Sequence, residues 1–177
     1  MIKLHPYIQN PLSSSLRISA SISSRSEENS LFVKFEIRGD VKNILWPTSP
    51  AKGRHHELWK QTCFELFTSE SLTPESPYFE VNVAPTGAWN IYEFSSYRQG
   101  MKESQNYKIL DISSEVSDNQ ALLEFRLEMD HTLPKFIGLT CVIQTQDGDS
   151  QYWALQHSSP KADFHDKKTW SPSSALR

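Results

Sequence analysis

Three polar side chains, Glu65, Glu80 and Asn82, occupy alternate positions in two otherwise apolar segments. Two carboxylates and an amide offer both acceptors and donors to the hydroxyl groups of a small ligand. Successive side chains of a strand point to opposite faces. In Thr62–Thr68, Phe64 and Leu66 share one face, and Cys63, Glu65 and Phe67 the other. In Tyr78–Val83, Phe79, Val81 and Val83 share one face, and Tyr78, Glu80 and Asn82 the other. A third segment, Trp89–Ser95, alternates Trp89, Ile91 and Glu93 with Asn90, Tyr92 and Phe94. If the apolar sets of the first two strands turn to one core, Glu65, Glu80 and Asn82 project together from the opposite face. A solvated face carries mostly Lys, Thr and Ser, whereas acceptors mixed with aromatics suit a ligand surface. The competing reading pairs Glu65 and Glu80 with arginines such as Arg98 or Arg126 as structural ion pairs.

Other chemistry is less well supported by spacing. The tryptophans Trp46, Trp59, Trp89, Trp153 and Trp170 lie in or beside loops and strand ends. An indole face can cover the C–H surface of a sugar ring, with nearby carboxylates and amides meeting its hydroxyls; the alternative is a Trp anchoring the core. Trp59 follows a long polar loop and precedes a strand, which favours a place on a binding rim. Of the histidines, His157 and His165 flank Asp163 in a loop-rich stretch, without the tight spacing of a zinc site. His5, His55, His56 and His131 are isolated from it. Asp147–Gly148–Asp149 reads as a hairpin turn and not as a twelve-residue calcium loop. No GxSxG or HExxH motif is present, and Cys63 falls mid-strand with no sign of activation. Cys63 and Cys141 read as two small buried thiols, with a bridge between neighbouring strands as the alternative.

The elements that must position these residues are short strands. Leu16–Ile22 and Leu31–Arg38 alternate apolar and polar residues and suggest an antiparallel hairpin around the polar turn Ser23–Ser30. Met1–Ser14 is irregular, and Val41–Glu57 reads as a long loop. Beyond the central strands and the polar connector Tyr97–Asn106, strands are expected at Tyr107–Ile112, Ala121–Met129, Ile137–Thr145 and Gln151–Leu155. Ser113–Asn119 reads as a turn and Ser158–Arg177 as a loop-like tail. Many short alternating strands without βαβ spacing indicate an all-β fold, an antiparallel β-sandwich, and argue against a Rossmann-type enzyme.

A chain of 177 residues fits one domain with a core of its own. A net charge of -3 with no basic patch argues against nucleic acid as a partner. No window approaches the roughly 18 apolar residues of a membrane span, and no secretory leader is seen, so the expected setting is cytoplasmic.

The runs LWKQTCFELF, YFEVNVAPTGAWNIYEFSSYRQGM and YWALQHSSPKADFHDKKTW resemble the DOMON-like proteins related to family 9 carbohydrate-binding modules. The resemblance implies a single β-sandwich domain over residues 1–177, jelly-roll-like with immunoglobulin-like layering, and no catalytic centre. It further implies a saccharide clamped between two tryptophans. Trp59 then corresponds to one clamp, Glu65 to an acceptor six residues later, and Glu80 and Asn82 to the polar pair of the next strand. Trp170 and Trp153 compete for the second clamp. Structural calcium is implied without identifiable ligands. The wider group includes haem binders, for which Met101 with His157 or His165 would supply axial ligands. The expected function is a non-enzymatic module that binds a carbohydrate or related polyol through Trp59, Glu65, Glu80, Asn82, Tyr92, Arg98 and Trp170. The alternatives are a haem-binding or redox domain and a protein-interaction domain with no small ligand.

Overall fold

The computed structural model describes residues 1–25, 29–130, 133–158 and 160–176. His131 and part of the turn expected at Ser23–Ser30 lie outside the described residues. The strands in chain order are β1 (Ile2–Lys3), β2 (His5–Pro6), β3 (Leu16–Arg25), β4 (Ser30–Gly39), β5 (Gly53–Arg54), β6 (Cys63–Ser69) and β7 (Tyr78–Val83). They continue with β8 (Ala88–Phe94), β9 (Lys102–Glu103), β10 (Tyr107–Val116), β11 (Gln120–Met129), β12 (Phe136–Gln144), β13 (Ser150–Ala154) and β14 (Ser171–Pro172). One sheet runs β1-β3-β4-β11-β10, and the other β2-β13-β12-β6-β7-β8-β5, with β14 added to β12 and β9 to β8. The protein is an all-β sandwich of two mostly antiparallel sheets. Among the described residues no helix is long and apolar enough to cross a membrane.

The alternating segments bury the faces their spacing dictates. Ile18, Ala20 and Ile22 of β3, Val33, Phe35 and Ile37 of β4, and Leu123, Phe125 and Leu127 of β11 line the inner face of the first sheet. Phe64 and Leu66, Val81 and Val83, Ile91, and Leu139, Cys141 and Ile143 line the inner face of the second. The two faces close on one another, with Phe35 and Phe64 ring centroids 5.1 Å apart. Trp153 is buried in this same core, on the inner face of β13. Cys63 and Cys141 are both free and buried, and they belong to different apolar clusters on opposite faces of the sheet, so they cannot bridge.

The two sheets differ on their outer sides. The first sheet leaves its outer face half-exposed, as the alternating burial of β4 and β11 shows. In the second, every residue of β6 is buried, so this sheet is covered on both faces. The outer cover is built from the chain after β13 together with the loop preceding β6. A second apolar cluster of Phe67, Tyr78, Tyr92, Phe94 and Trp170 forms there, with Trp59 and Phe164 against it. The expected solvent-side ligand face therefore lies beneath a layer that has no periodic pattern of its own.

Other departures are local. Met1–Ser14 is not irregular: it holds β1, β2 and a short helix, Pro11–Ser15, capped by Asn10, whose side chain accepts from Ser13 N at 2.8 Å. The Val41–Glu57 segment is interrupted by β5, which pairs parallel to β8 and brings Arg54 onto Asn90 Oδ1 at 2.9 Å. The connector Tyr97–Asn106 contains β9. Strand β10 continues past Ile112 to Val116 because the pairing with β11 shifts between Leu110 and Ser113, around Asp111 at φ +54°. A bulge breaks the alternation that marks a strand in sequence, and the same residues then read as a turn. On β12, Gly138 leaves room for the Trp170 indole: a Cβ there would lie 2.8 Å from the ring. Gly138→Ala is expected to displace Trp170 and destabilise the protein by about 1–3 kcal/mol, as overpacking does. An unchanged thermal midpoint in that variant would mean the indole does not rest on β12.

Candidate functional site

Across the outer face of the second sheet the registers align Thr140, Glu65, Asn82 and Asn90 in one row over β12, β6, β7 and β8. The adjacent row holds Phe67, Glu80 and Tyr92. Glu65 and Glu80 are thus diagonal neighbours on one face, about 7–8 Å apart at the backbone. Both are buried, at 2% and 5% exposure, and both form the floor of a cleft of about 370 Å³. That size falls within the roughly 300–1,000 Å³ of small-molecule sites. Trp59, Phe94, Tyr152 and Phe164 supply aromatic walls, and Arg98, Met101 and His165 complete the rim.

The tail forms one wall because the bonds of Asp163, those of Lys167 and the seat of Trp170 over Gly138 hold it down. Asp163 accepts from Arg98 Nη2 at 2.8 Å, from His165 N at 3.1 Å and from the Tyr97 hydroxyl. Those bonds hold the Asp163 carboxyl below the usual range against the opposing effect of burial. Trp170 donates its indole N–H to Phe164 O at 2.9 Å. Lys167 is buried, and its Nζ lies 2.6 Å from Ser76 Oγ, 2.8 Å from Ser76 O and 3.2 Å from Thr73 O in the β6–β7 loop. Burial pulls its pKa down to about 8, so the ammonium still dominates at neutral pH inside a shell of acceptors. Lys167→Met keeps the stem and leaves those oxygens without their donor. It is expected to cost about 2 kcal/mol, read by urea denaturation; a loss below about 0.5 kcal/mol would show that the tail is held by its other anchors.

The protonation pattern follows from the hydrogen bonds. Arg98 N–H donates to the Tyr78 hydroxyl oxygen at 3.2 Å, and the Tyr78 hydroxyl lies 2.7 Å from His165 Nδ1. The Tyr78 hydroxyl and His165 Nδ1 share one hydrogen bond whose donor is set by the imidazole tautomer, and His165 Nε2 faces Glu80 Oε2 at 3.7 Å. Burial and the Arg98 charge push the His165 pKa down to about 4, so the imidazole is neutral. Glu80 accepts from Asn82 Nδ2 at 2.7 Å, and burial raises its carboxyl to about 7 despite that bond and the Arg98 charge. Glu65 accepts from Thr140 Oγ1 at 3.1 Å; burial and the Glu80 charge hold its carboxyl well above the ordinary range. Burial thus favours the neutral, donating form of Glu65, while Glu80, raised to about 7, is partly ionised at neutral pH and accepts.

Of the seven residues expected to bind ligand, Trp59, Glu65, Glu80 and Arg98 come together in the cleft walls. The other three stand behind it. Asn82 is fully buried and orients Glu80. Tyr92 is buried and supports the edge of Trp59, with centroids 5.6 Å apart. Trp170 packs against Phe67 at 5.5 Å and Tyr78 at 5.7 Å. Trp153 lies in the main core, so neither contender for a second tryptophan clamp faces the cleft. Spacing singled out neither Tyr152 nor Phe164 for the site. Tyr152 was legible as the outward partner of Trp153 on β13; Phe164, in the aperiodic tail, was not.

Among the described residues neither Glu65 nor Glu80 is ion-paired to an arginine; Arg98 pairs with Asp163, and Arg126 with Asp111 at 3.0 Å. No three His, Cys, Asp or Glu side chains among them converge as a metal site, and Asp147–Gly148–Asp149 forms a hairpin turn closed by Gly148 N to Thr145 O at 3.0 Å. Haem also fits poorly. His165 Nδ1 is held by the Tyr78 hydroxyl at 2.7 Å, its Nε2 faces the buried Glu80 carboxyl at 3.7 Å, and His157 gives Nε2 to the His5 carbonyl at 2.7 Å.

Fold and cleft together define a two-sheet β-sandwich with a ligand-sized hollow on its covered outer face. No protein-family model matches the chain, and no curated protein matches it in sequence. The fold is similar to the crystal structure of a proposed carbohydrate-binding protein from Bacteroides uniformis ATCC 8492. The two agree with a TM-score of 0.57 at 12% identity, over 96% of this chain and 84% of that one. At this identity the likeness is one of fold.

Proposed function

We propose that the protein is a non-catalytic binding module for a saccharide or related polyol, of the kind found among DOMON-like relatives of family 9 modules. The observation that carries this reading is the combination of aromatic walls with a polar floor in one cleft, built around Trp59, Glu65 and Glu80. A sugar ring stacks its C–H face on Trp59, and its hydroxyls meet Glu65, Glu80 and Arg98. The likeness of fold to a proposed carbohydrate-binding protein supports it. Each hydroxyl bond nets little after desolvation, so affinity is weak.

The test is a thermal-shift screen against monosaccharides and oligosaccharides, with calcium and haem as comparators. A ligand that binds only the folded state raises the midpoint in a concentration-dependent way. A shift with a sugar supports the module. No shift with any sugar at millimolar concentration sinks this reading and leaves the interaction-domain alternative to pursue.

A further inference from the structure

The cleft presents two carboxyl groups to its ligand and supplies neither with a cation. Glu65 is 2% exposed; Thr140 Oγ1 meets its Oε2 at 3.1 Å, and no donor among the described residues reaches its Oε1. Glu80 is 5% exposed; Asn82 Nδ2 meets its Oε1 at 2.7 Å, and its Oε2 faces His165 Nε2 at 3.7 Å, beyond hydrogen-bond length. Both unmet oxygens are reached from the cleft. Both residues line it, and the sealed, unpartnered side-chain atoms of the described residues lie on Gln151, Trp153 and His157 instead.

The charge balance of the lining is one-sided. Among the described residues Arg98 is its one permanently cationic side chain, and Arg98 Nη2 lies 2.8 Å from Asp163 Oδ1. Its charge is felt at Glu80, but the ion pair it makes is with Asp163. His165 is neutral, for the reasons given above. The two carboxyls are near enough to act on each other, since the Glu80 charge raises Glu65. A ligand hydroxyl brings one donor and no charge to such a floor. A primary ammonium brings three donors and the missing positive charge. The walls suit a cation as well, because Trp59, Phe94, Tyr152 and Phe164 offer aromatic rings, whose faces attract positive charge.

We infer that the cleft selects an amino sugar with a free amine, its ammonium seated between Glu65 and Glu80 while its ring stacks on Trp59. This rests on the saccharide reading of the cleft. The ammonium donates to Glu65 Oε1 and Glu80 Oε2, the two oxygens the protein leaves unmet. Its charge offsets the burial that otherwise favours the neutral carboxyls. An N-acetylated sugar has neither the charge nor the three donors, and loses this contact.

The test is calorimetric titration at pH 7 in phosphate buffer, since Tris is itself a polyol amine. Glucosamine, galactosamine and mannosamine are each compared with the parent hexose and the N-acetyl form. The hexosamine that binds is expected to exceed both of its counterparts by about tenfold or more. Glu65→Gln and Glu80→Gln keep the shape of the floor and remove its charge; each is expected to weaken the hexosamine by about tenfold and to erase its advantage. A hexose or an N-acetyl form that binds as tightly as the amine overturns the ammonium seat and leaves the module standing. So does an advantage that survives in both Gln variants, which puts the amine elsewhere. Methylammonium that matches the hexosamine keeps the ammonium seat and overturns the saccharide reading. Silence from every amine and every neutral sugar overturns both.

Discussion

Trp59→Ala leaves the fold standing and weakens binding of a responsive saccharide by roughly thirtyfold or more, about 2 kcal/mol. Two features of its placement set that expectation. The indole is only half-buried and lies outside the main core, against the edge of Tyr92. Truncation therefore exposes a partly wet surface and opens no sealed cavity, and the stability loss stays near 1 kcal/mol, well below that of a core aromatic. Trp59 is also the indole of the cleft wall, and stacking on a ring is a contact that Ala cannot replace. For a millimolar ligand the loss reads as no measurable binding by calorimetry. A variant that binds a confirmed ligand normally puts the site elsewhere. Trp170→Ala separates a clamp from a structural role: Trp170 is buried between Phe67 and Tyr78, so its removal lowers the melting midpoint more than Trp59→Ala does.

Glu80→Gln changes stability in a pH-dependent way whose sign is fixed by burial. The carboxyl is raised from 4.5 to about 7 in the folded protein. Between those values the folded state holds a proton that the unfolded chain has lost, so stability contributed by this group falls as pH rises through the window. Below pH 4.5 both states are protonated and the group contributes no penalty. Above about 7 the full penalty applies, roughly 3 kcal/mol at 1.36 kcal/mol per pH unit. Gln cannot ionise, and its carbonyl still accepts from Asn82. The variant is expected to match the parent near pH 4.5 and to exceed it by up to roughly 3 kcal/mol at about pH 8, in paired urea titrations. Taking the difference between the two proteins cancels groups such as Asp163 that titrate the opposite way. A difference that stays flat with pH would show that Glu80 is ionised throughout and that its surroundings are wetter than the cleft geometry indicates. A charged floor at alkaline pH also ties ligand affinity to the same window, because Glu80 changes from donor to acceptor as it ionises.

Much of the molecule followed from local spacing. The period of two in Leu16–Ile22, Leu31–Arg38 and Ala121–Met129 marked three strands of the first sheet, with the correct residues facing inward. The same rule put Phe64, Leu66, Val81 and Val83 into the core and set Glu65, Glu80 and Asn82 on the other face. These results need only the geometry of one strand, in which the side chain direction is set by parity. Where the backbone departs from that geometry the pattern fails. The irregularity near Asp111 hid the end of β10, Ser113–Val116, and the two-residue strands β5 and β9 are too short to show any period.

What the sequence determined, then, was which face of which strand each polar residue occupies. Whether that face is open, covered or cleft-forming was decided only in three dimensions. The cover is Asp163, Phe164, His165, Lys167 and Trp170, a stretch with no regular period. It is placed by contacts to Arg98, Ser76 and Gly138, each more than thirty positions away in the chain. Such contacts leave no local signature, because their free energy depends on which distant groups happen to be adjacent after folding. That cover buries Glu65 and Glu80, removes water from them and raises both carboxyls. It also makes Trp170 part of a buried cluster, while the sheet sends Trp153 to the opposite side. The residue types were in the sequence; their solvation, and with it their chemistry, came from the tail that closes over them.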